Sequence, residues 1–233
     1  MNNTLPAPLV LLHGALNDAS VWEPVRQRLQ GPVLVPDLPG RGSPALPSIE
    51  ALADWLWQDL DARGIERAVL AGHSMGSLIA LEAAAHKPER VAGLVLVATA
   101  FPMKVSPALL EQARTDAQGA MQLIDQYSRS HDDGGRLMAM MRRLEAANPG
   151  LLAHELALCD SYAGGMTAAA GLRCPVWAVL GELDKMTPPK RSRELLEKLH
   201  AHVATGTAGH SLMAEAADLV FNTLKTAIQE TRP

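Results

Sequence analysis

Val69-Leu70-Ala71-Gly72-His73-Ser74-Met75-Gly76-Ser77-Leu78-Ile79-Ala80 is the stretch whose reading decides the fold. A short apolar run stops at Gly72, a serine stands between two glycines, and a helix-forming run rich in Ala and Leu follows. Gly72-His73-Ser74-Met75-Gly76 fits G-x-S-x-G, a tight strand-to-helix turn that presents a serine in a strained backbone conformation. A side chain at either glycine would collide with the neighbouring strand or helix. As a bare pattern it arises by chance about once in ten chains of this length. A strand before it and a helix after it are the confirming context, and both are expected here. Ser74 is the candidate nucleophile.

The chain has 233 residues, 48% of them hydrophobic and 20% charged, which fits one globular domain with a full core and room for a small insertion. A net charge of −4 argues against nucleic acid or an anionic membrane as partner. No apolar stretch is long enough to span a bilayer, and residues 1–4 lack the pattern that opens a secretory signal, so a cytoplasmic protein is expected. The two cysteines, Cys159 and Cys174, form neither a metal spacing nor a disulfide framework and read as reduced thiols.

Outward from the elbow, apolar runs at 8–12, 32–36, 67–71 and 91–98 read as strands, with helices at 21–29, 48–61 and 75–86 between them. Ser48 marks the start of its helix, and Asp18 or Ser20 caps the first one. Strands apolar on both faces that alternate with helices indicate a doubly wound, mostly parallel α/β sheet. From 101 to 172 the alternation stops, and only helical patterns appear (107–128, 135–147, 151–159). It resumes with a strand at 175–180, a helix at 188–200, a short strand at 202–205 and a closing helix at 212–229. The expected organisation is a core of residues 1–100 and 173–233 with a small helical cap, 101–172, inserted between two strands.

Ligands of parallel α/β sheets bind beyond the carboxyl ends of the strands. A base for Ser74 must therefore follow a strand, which leaves His13 and His210 of the eight histidines. His210 lies in Ala208-Gly209-His210-Ser211, whose small residues let an imidazole reach over the serine; Ser211 lacks the closing glycine of an elbow. An imidazole base needs a carboxylate to fix its tautomer. The strand at 175–180 ends in Gly181-Glu182-Leu183-Asp184, and Asp184, in the turn before Pro188, is the better placed of its two acids. The backbone N–H groups of Ala15 and Met75 are the expected oxyanion donors, worth about 3–4 kcal/mol each. Met75 also opens a helix, whose dipole helps. His13 reads as a hydrogen bonder in its loop or a wall of the pocket.

Leu11-Leu12-His13-Gly14, Asp37-Leu38-Pro39-Gly40-Arg41-Gly42, the elbow, Gly181-Glu182-Leu183-Asp184-Lys185-Met186-Thr187-Pro188 and Ala208-Gly209-His210 stand in the order of the blocks of the α/β-hydrolase superfamily. The chain resembles most its small esterase, enol-lactonase and carbon–carbon hydrolase branch, over nearly its whole length. The resemblance implies the triad order Ser74, Asp184, His210, an acyl-enzyme and no cofactor. It also shows departures: Arg41 stands where the family usually has a histidine, and Ser43 comes one residue early.

The expected function is hydrolysis of a small, largely apolar carboxylic ester or lactone. The alternatives are a carbon–carbon hydrolase or lyase on the same triad, and a ligand-binding receptor on the same fold. No lysine stands beside His210, which counts against a lyase, and a serine at position 74 disfavours dehalogenase and epoxide-hydrolase chemistry. Met103, Met121, Met138 and Met141 either line an adaptable pocket or fill the core of the cap. Arg136, Arg142 and Arg143 either meet a substrate carboxylate or sit on solvated helix faces, and His131-Asp132-Asp133 reads as a polar turn rather than a metal site. The oligomeric state does not follow from the sequence.

Overall fold

The uninterrupted apolar runs become strands buried on both faces. The computed structural model describes residues 7–231. In chain order the strands are β1 (Leu9–Leu12), β2 (Val33–Leu34), β3 (Ala68–His73), β4 (Val91–Val97), β5 (Val176–Gly181) and β6 (His202–Gly206). They form one sheet, ordered β2-β1-β3-β4-β5-β6, in which every pair is parallel. The helices are α1 (Glu23–Arg26), α2 (Ile49–Ala62), α3 (Met75–His86), α4 (Pro107–Thr115), α5 (Ala117–Ser128), α6 (Arg136–Ala147), α7 (Leu151–Ser161), α8 (Gly165–Gly171), α9 (Arg193–Lys198), α10 (Leu212–Glu215) and α11 (Ala217–Glu230).

Alternation along each strand sends side chains to two separate cores. Val10, Leu12, Leu70, Leu94 and Leu96 pack against α2, α3, α8 and α9. Leu9, Leu11, Val69, Ala71, Val95 and Val97 face α1, α10 and α11. Helix α2 shows why its segment is helical: Ser48 Oγ accepts the Ala51 N–H at 3.1 Å, and Ile49, Leu52, Ala53, Leu56, Trp57 and Leu60 form one buried stripe.

Between β4 and β5 stand five helices and, among the described residues, no strand. Here α4 to α7 share a third apolar cluster built from Leu109, Ala113, Met121, Met141, Leu144, Leu152 and Leu156, with Leu16 of the β1 loop inserted into it. Helix α8 behaves differently, placing Ala168 and Ala169 in the core beneath α3. No helix is long and apolar enough to cross a membrane among the described residues.

Several elements differ from their sequence-based outlines, each for a local reason. The segment at 107–128 is two helices, because Asp116 leaves helical geometry (φ −146°, ψ 73°) to accept the Gly119 N–H and cap α5. The helix expected at 21–29 is a 3₁₀ turn, Ala19–Trp22, followed by the single turn α1, with Asp18 accepting the Ser20 N–H. The second strand shrinks to two residues at the sheet edge. Pro188, extended at ψ 140°, delays the helix of 188–200, which is a 3₁₀ turn followed by α9. The closing helix breaks at Ala216, beside Glu215, whose carboxylate takes the N–H groups of Gly209 and Ser130 at 2.6 and 2.7 Å. Helix α8 has no apolar stripe of its own and owes its existence to packing.

Candidate active site

The sheet order reverses direction at β1 and β3: β1 leads outward to β2, whereas β3 leads to β4, β5 and β6. The crevice beyond the carboxyl ends of those two strands is where such sheets bind ligands. Ala15 follows β1 and Ser74 follows β3, one on each side of it. The loops after β5 and β6 bring Asp184 and His210 to the same edge.

Ser74 sits at φ 53°, ψ −121°, a conformation that costs a residue with a side chain on the order of 1–3 kcal/mol. The two glycines make the turn possible. A Cβ on Gly72 would lie 2.0 Å from the Gly76 carbonyl oxygen, and one on Gly76 would lie 2.6 Å from the carbonyl oxygens of Leu12 and His13. Backbone bonds lock the turn: Ser74 N–H donates to Val97 O at 2.9 Å, while Ser77 N–H and Oγ–H both donate to Ser74 O. Its Oγ makes no hydrogen bond among the described residues, His210 included. Such bonds are commonly loose before substrate binds.

His210 Nδ1 lies 2.8 Å from Asp184 Oδ2, and both side chains are buried. Asp184 Oδ1 takes the N–H groups of Met186 and Thr187, both at 2.8 Å, and Thr187 Oγ–H donates to Oδ2 at 2.7 Å. Burial opposes ionisation of this carboxyl, but the charge and hydrogen bond of His210, with the Thr187 donors, outweigh it and hold its pKa down to about 2. Glu182, the other acid of the loop, is exposed and accepts from Thr207 at 3.1 Å. The His73 ring lies tilted against that of His210, centroids 4.8 Å apart, and donates from Nε2 to the His210 carbonyl at 2.9 Å. Burial and the neighbouring His210 push the His73 pKa to about 3, so His73 is a neutral donor.

The N–H groups of Ala15 and Met75 have no partner among the described residues, and Met75 opens α3. His13 is fully buried and is not among the residues that line the cavity over Ser74. Its Nε2 accepts the Leu38 N–H at 3.0 Å, which leaves Nδ1–H to donate to Gly14 O at 3.0 Å. Burial, then the Arg41 charge, push its pKa to about 3. His13 is thus a fastener between the β1 and β2 loops rather than a pocket wall.

A cavity of about 1670 Å³ lies over Ser74 and His210, bounded by α4 to α7. Met103 and Met141 line it, together with Met140, Met186 and Met213. Met121 and Met138 do not: both pack into the cluster that α4 to α7 share. Of the three arginines singled out from the sequence, Arg136 reaches the cavity, whereas Arg143 pairs with Asp18. Asp132 and Asp133 accept the N–H groups of Gly134 and Gly135, as a polar turn does.

Residues 9–223 match the model of the alpha/beta hydrolase family. The chain belongs to that family. A pimeloyl-[acyl-carrier protein] methyl ester esterase of Vibrio campbellii is 30% identical, with 82% of each chain covered. The biotin biosynthesis bifunctional protein BioHC of Cellvibrio japonicus is 28% identical over 96% of this chain, which spans about half (49%) of that relative's length. The crystal structure of the enol-lactonase from Burkholderia xenovorans LB400 superposes with a TM-score of 0.85 at 24% identity, covering 98% of this chain and 94% of that one.

Within this alpha/beta hydrolase, three supports of the site escaped the sequence reading. Thr187 braces Asp184 from three residues away, a spacing that looks like any turn. Glu215 ties the His210 loop to Ser130 at the end of α5. Arg41, noticed only as a departure from the family loop, forms a buried ion pair with Glu155 of α7.

Proposed function

We propose that the protein is a serine hydrolase of carboxylic esters or lactones, with Ser74 as nucleophile, His210 as base and Asp184 as the carboxylate that orients it. The observation that carries this reading is the buried Asp184–His210 pair, joined at 2.8 Å, whose histidine lines the same cavity as a serine on a strained elbow.

The chemistry follows from the geometry. Asp184 accepts from Nδ1, so the neutral His210 carries its proton there and turns Nε2, an acceptor, toward the cavity. Nε2 takes the Ser74 hydroxyl proton as Oγ attacks the substrate carbonyl carbon. The resulting oxyanion is held by the N–H groups of Ala15 and Met75, which have no competing partner among the described residues. The imidazolium, stabilised by ionised Asp184, returns its proton to the leaving oxygen as the ester bond breaks. Water, activated by His210, then hydrolyses the acyl-enzyme and frees Ser74.

The helices between β4 and β5 act as a cap that encloses the substrate. A cavity of about 1670 Å³ exceeds the few hundred to a thousand Å³ of ordinary ligand pockets, and much of its wall is apolar: Val21, Leu109, Leu123, Ile124, Leu152 and Leu156. That supports an extended acyl or alcohol group rather than only a small one. The esterase and enol-lactonase relatives support the same reaction class.

The test is to treat the protein with a fluorophosphonate, locate the adduct, and assay p-nitrophenyl esters of increasing chain length with wild type and Ser74→Ala. The expected result is an adduct on Ser74 and loss of turnover in the variant. An adduct elsewhere, or equal turnover by Ser74→Ala, sinks the mechanism.

A further inference from the structure

We propose that Arg41 and Glu155 are positioning residues for the oxyanion donors, a buried clamp that holds the Ala15–Asn17 loop in its working shape and fastens it to α7. The inference rests on the hydrolase reading above, because it assigns the Ala15 N–H its role.

The pair is nearly sealed from water, with side-chain exposures of 4% and 3%. Arg41 meets Glu155 through both terminal nitrogens: Nη1 on Oε1, and Nη2 on Oε2 at 2.9 Å. The remaining groups all go to one loop or its own. Arg41 Nε donates to Asn17 O at 2.8 Å, Nη1 also reaches Pro39 O at 3.3 Å, and Glu155 Oε2 takes the Leu16 N–H at 2.6 Å. A buried ion pair gains little stability over apolar residues of the same size, so stability alone does not account for it. Its bidentate geometry fixes both partners in one arrangement, which suits a device that sets position.

What it positions is the strained part of the oxyanion loop. Leu16 stands at φ 47°, in the left-handed region that a branched side chain avoids. Two charge-assisted bonds, one to its own N–H and one to the carbonyl of Asn17, hold it there. Leu16 N–H belongs to the peptide group that follows Ala15, so if Leu16 relaxes, that group turns, the Ala15 Cα it shares is displaced, and the Ala15 N–H on the other side of that Cα leaves the line to the oxyanion. Leu152, Leu156 and Cys159, on the same helix as Glu155, line the cavity. The clamp therefore ties the oxyanion loop to the wall that touches substrate.

The main variant is the double Arg41→Met/Glu155→Leu, which removes both charges and so strands neither in the interior. The expected result is a tenfold to hundredfold fall in kcat, part of what loss of an oxyanion donor costs, with KM within about threefold. Affinity for a trifluoromethyl ketone, whose adduct on Ser74 carries the oxyanion, falls by the same factor. Glu155→Gln, whose amide oxygen still accepts from Leu16 N–H, loses less, and Arg41→Lys recovers part of the difference. The bond to Glu155 should place the wild-type Leu16 amide proton far downfield and slow its exchange, and the double variant should remove both features. Wild-type kcat and ketone affinity in the double variant, or a loss confined to KM, overturns the proposal. If the wild type turns over no ester or lactone, the hydrolase reading fails and the catalytic role of the clamp with it. The clamp itself is then overturned only if the Leu16 amide is unchanged in the double variant.

Discussion

Replacing Ser74 by glycine should make the protein more stable than replacing it by alanine, although both variants lose the hydroxyl. Ser74 occupies φ 53°, ψ −121°, where any Cβ crowds its own backbone. Holding such a residue there costs about 1–3 kcal/mol. Alanine keeps the Cβ and the strain; glycine removes it, at a cost of about 0.5–1 kcal/mol for the extra freedom of the unfolded chain. The hydroxyl contributes nothing to offset this, since Ser74 Oγ has no hydrogen-bond partner among the described residues. The backbone bonds through Ser74 N and O survive in both variants. The net advantage of glycine is about 1 kcal/mol, within a span of roughly 0–2.5 set by these terms, and each kcal/mol is about 2–4 °C in melting temperature for a chain of this size. Urea unfolding followed by tryptophan fluorescence reads it as a shift in midpoint at constant slope. A Ser74→Gly variant no more stable than Ser74→Ala would refute the strained elbow.

Asp184→Asn should lower kcat on the order of 10⁴-fold and change KM little, because the amide no longer fixes the tautomer of His210; steady-state kinetics on one ester checks it. Gly72→Ala should leave no folded enzyme, since the new Cβ falls 2.0 Å from a backbone oxygen on the first turn of α3, where no side chain can yield; soluble yield and circular dichroism report it. Stability should fall on acidification from about pH 6.5 toward 3. His13 and His73 are held neutral to about 3, whereas unfolded histidines protonate near 6.5, so the unfolded state binds two more protons across that window. The slope from these two groups is about 2.7 kcal/mol per pH unit. Asp184, lowered to about 2 from 3.8, adds a further loss only as pH drops below about 4. Urea midpoints that stay level between pH 6.5 and 4.5 would contradict the burial of the two histidines.

The architecture was legible because its signals are local. Apolar runs at Leu9–Leu12, Val91–Val97 and Val176–Gly181 needed no partner to be recognised as doubly buried strands, and α3 begins at Met75 as its elbow requires. The strand ends also sorted the histidines, because in a parallel sheet position along the chain determines the edge. Helix α8 was invisible: Gly165 and Gly171 bracket a run of small residues that becomes helical only against α3 and α9. The methionines divided in a way no spacing reveals. Met141, itself part of the cluster that α4 to α7 share, reaches the cavity, while Met138 packs against that cluster without reaching it.

By itself the sequence determined the strands and the elbow turn, since each depends on backbone geometry within a few residues, and it set Ser74, Asp184 and His210 just past the ends of strands. The tertiary structure decided what surrounds them. Arg41 and Glu155 are 114 positions apart, and Glu215 meets Ser130 across 85. Neither pairing has any periodicity to betray it, because a buried charge is read by the partner that folding brings to it and not by its neighbours in the chain. The same holds for the cavity, whose walls come from six helices and the loops of five strands, and whose shape exists only once they have packed.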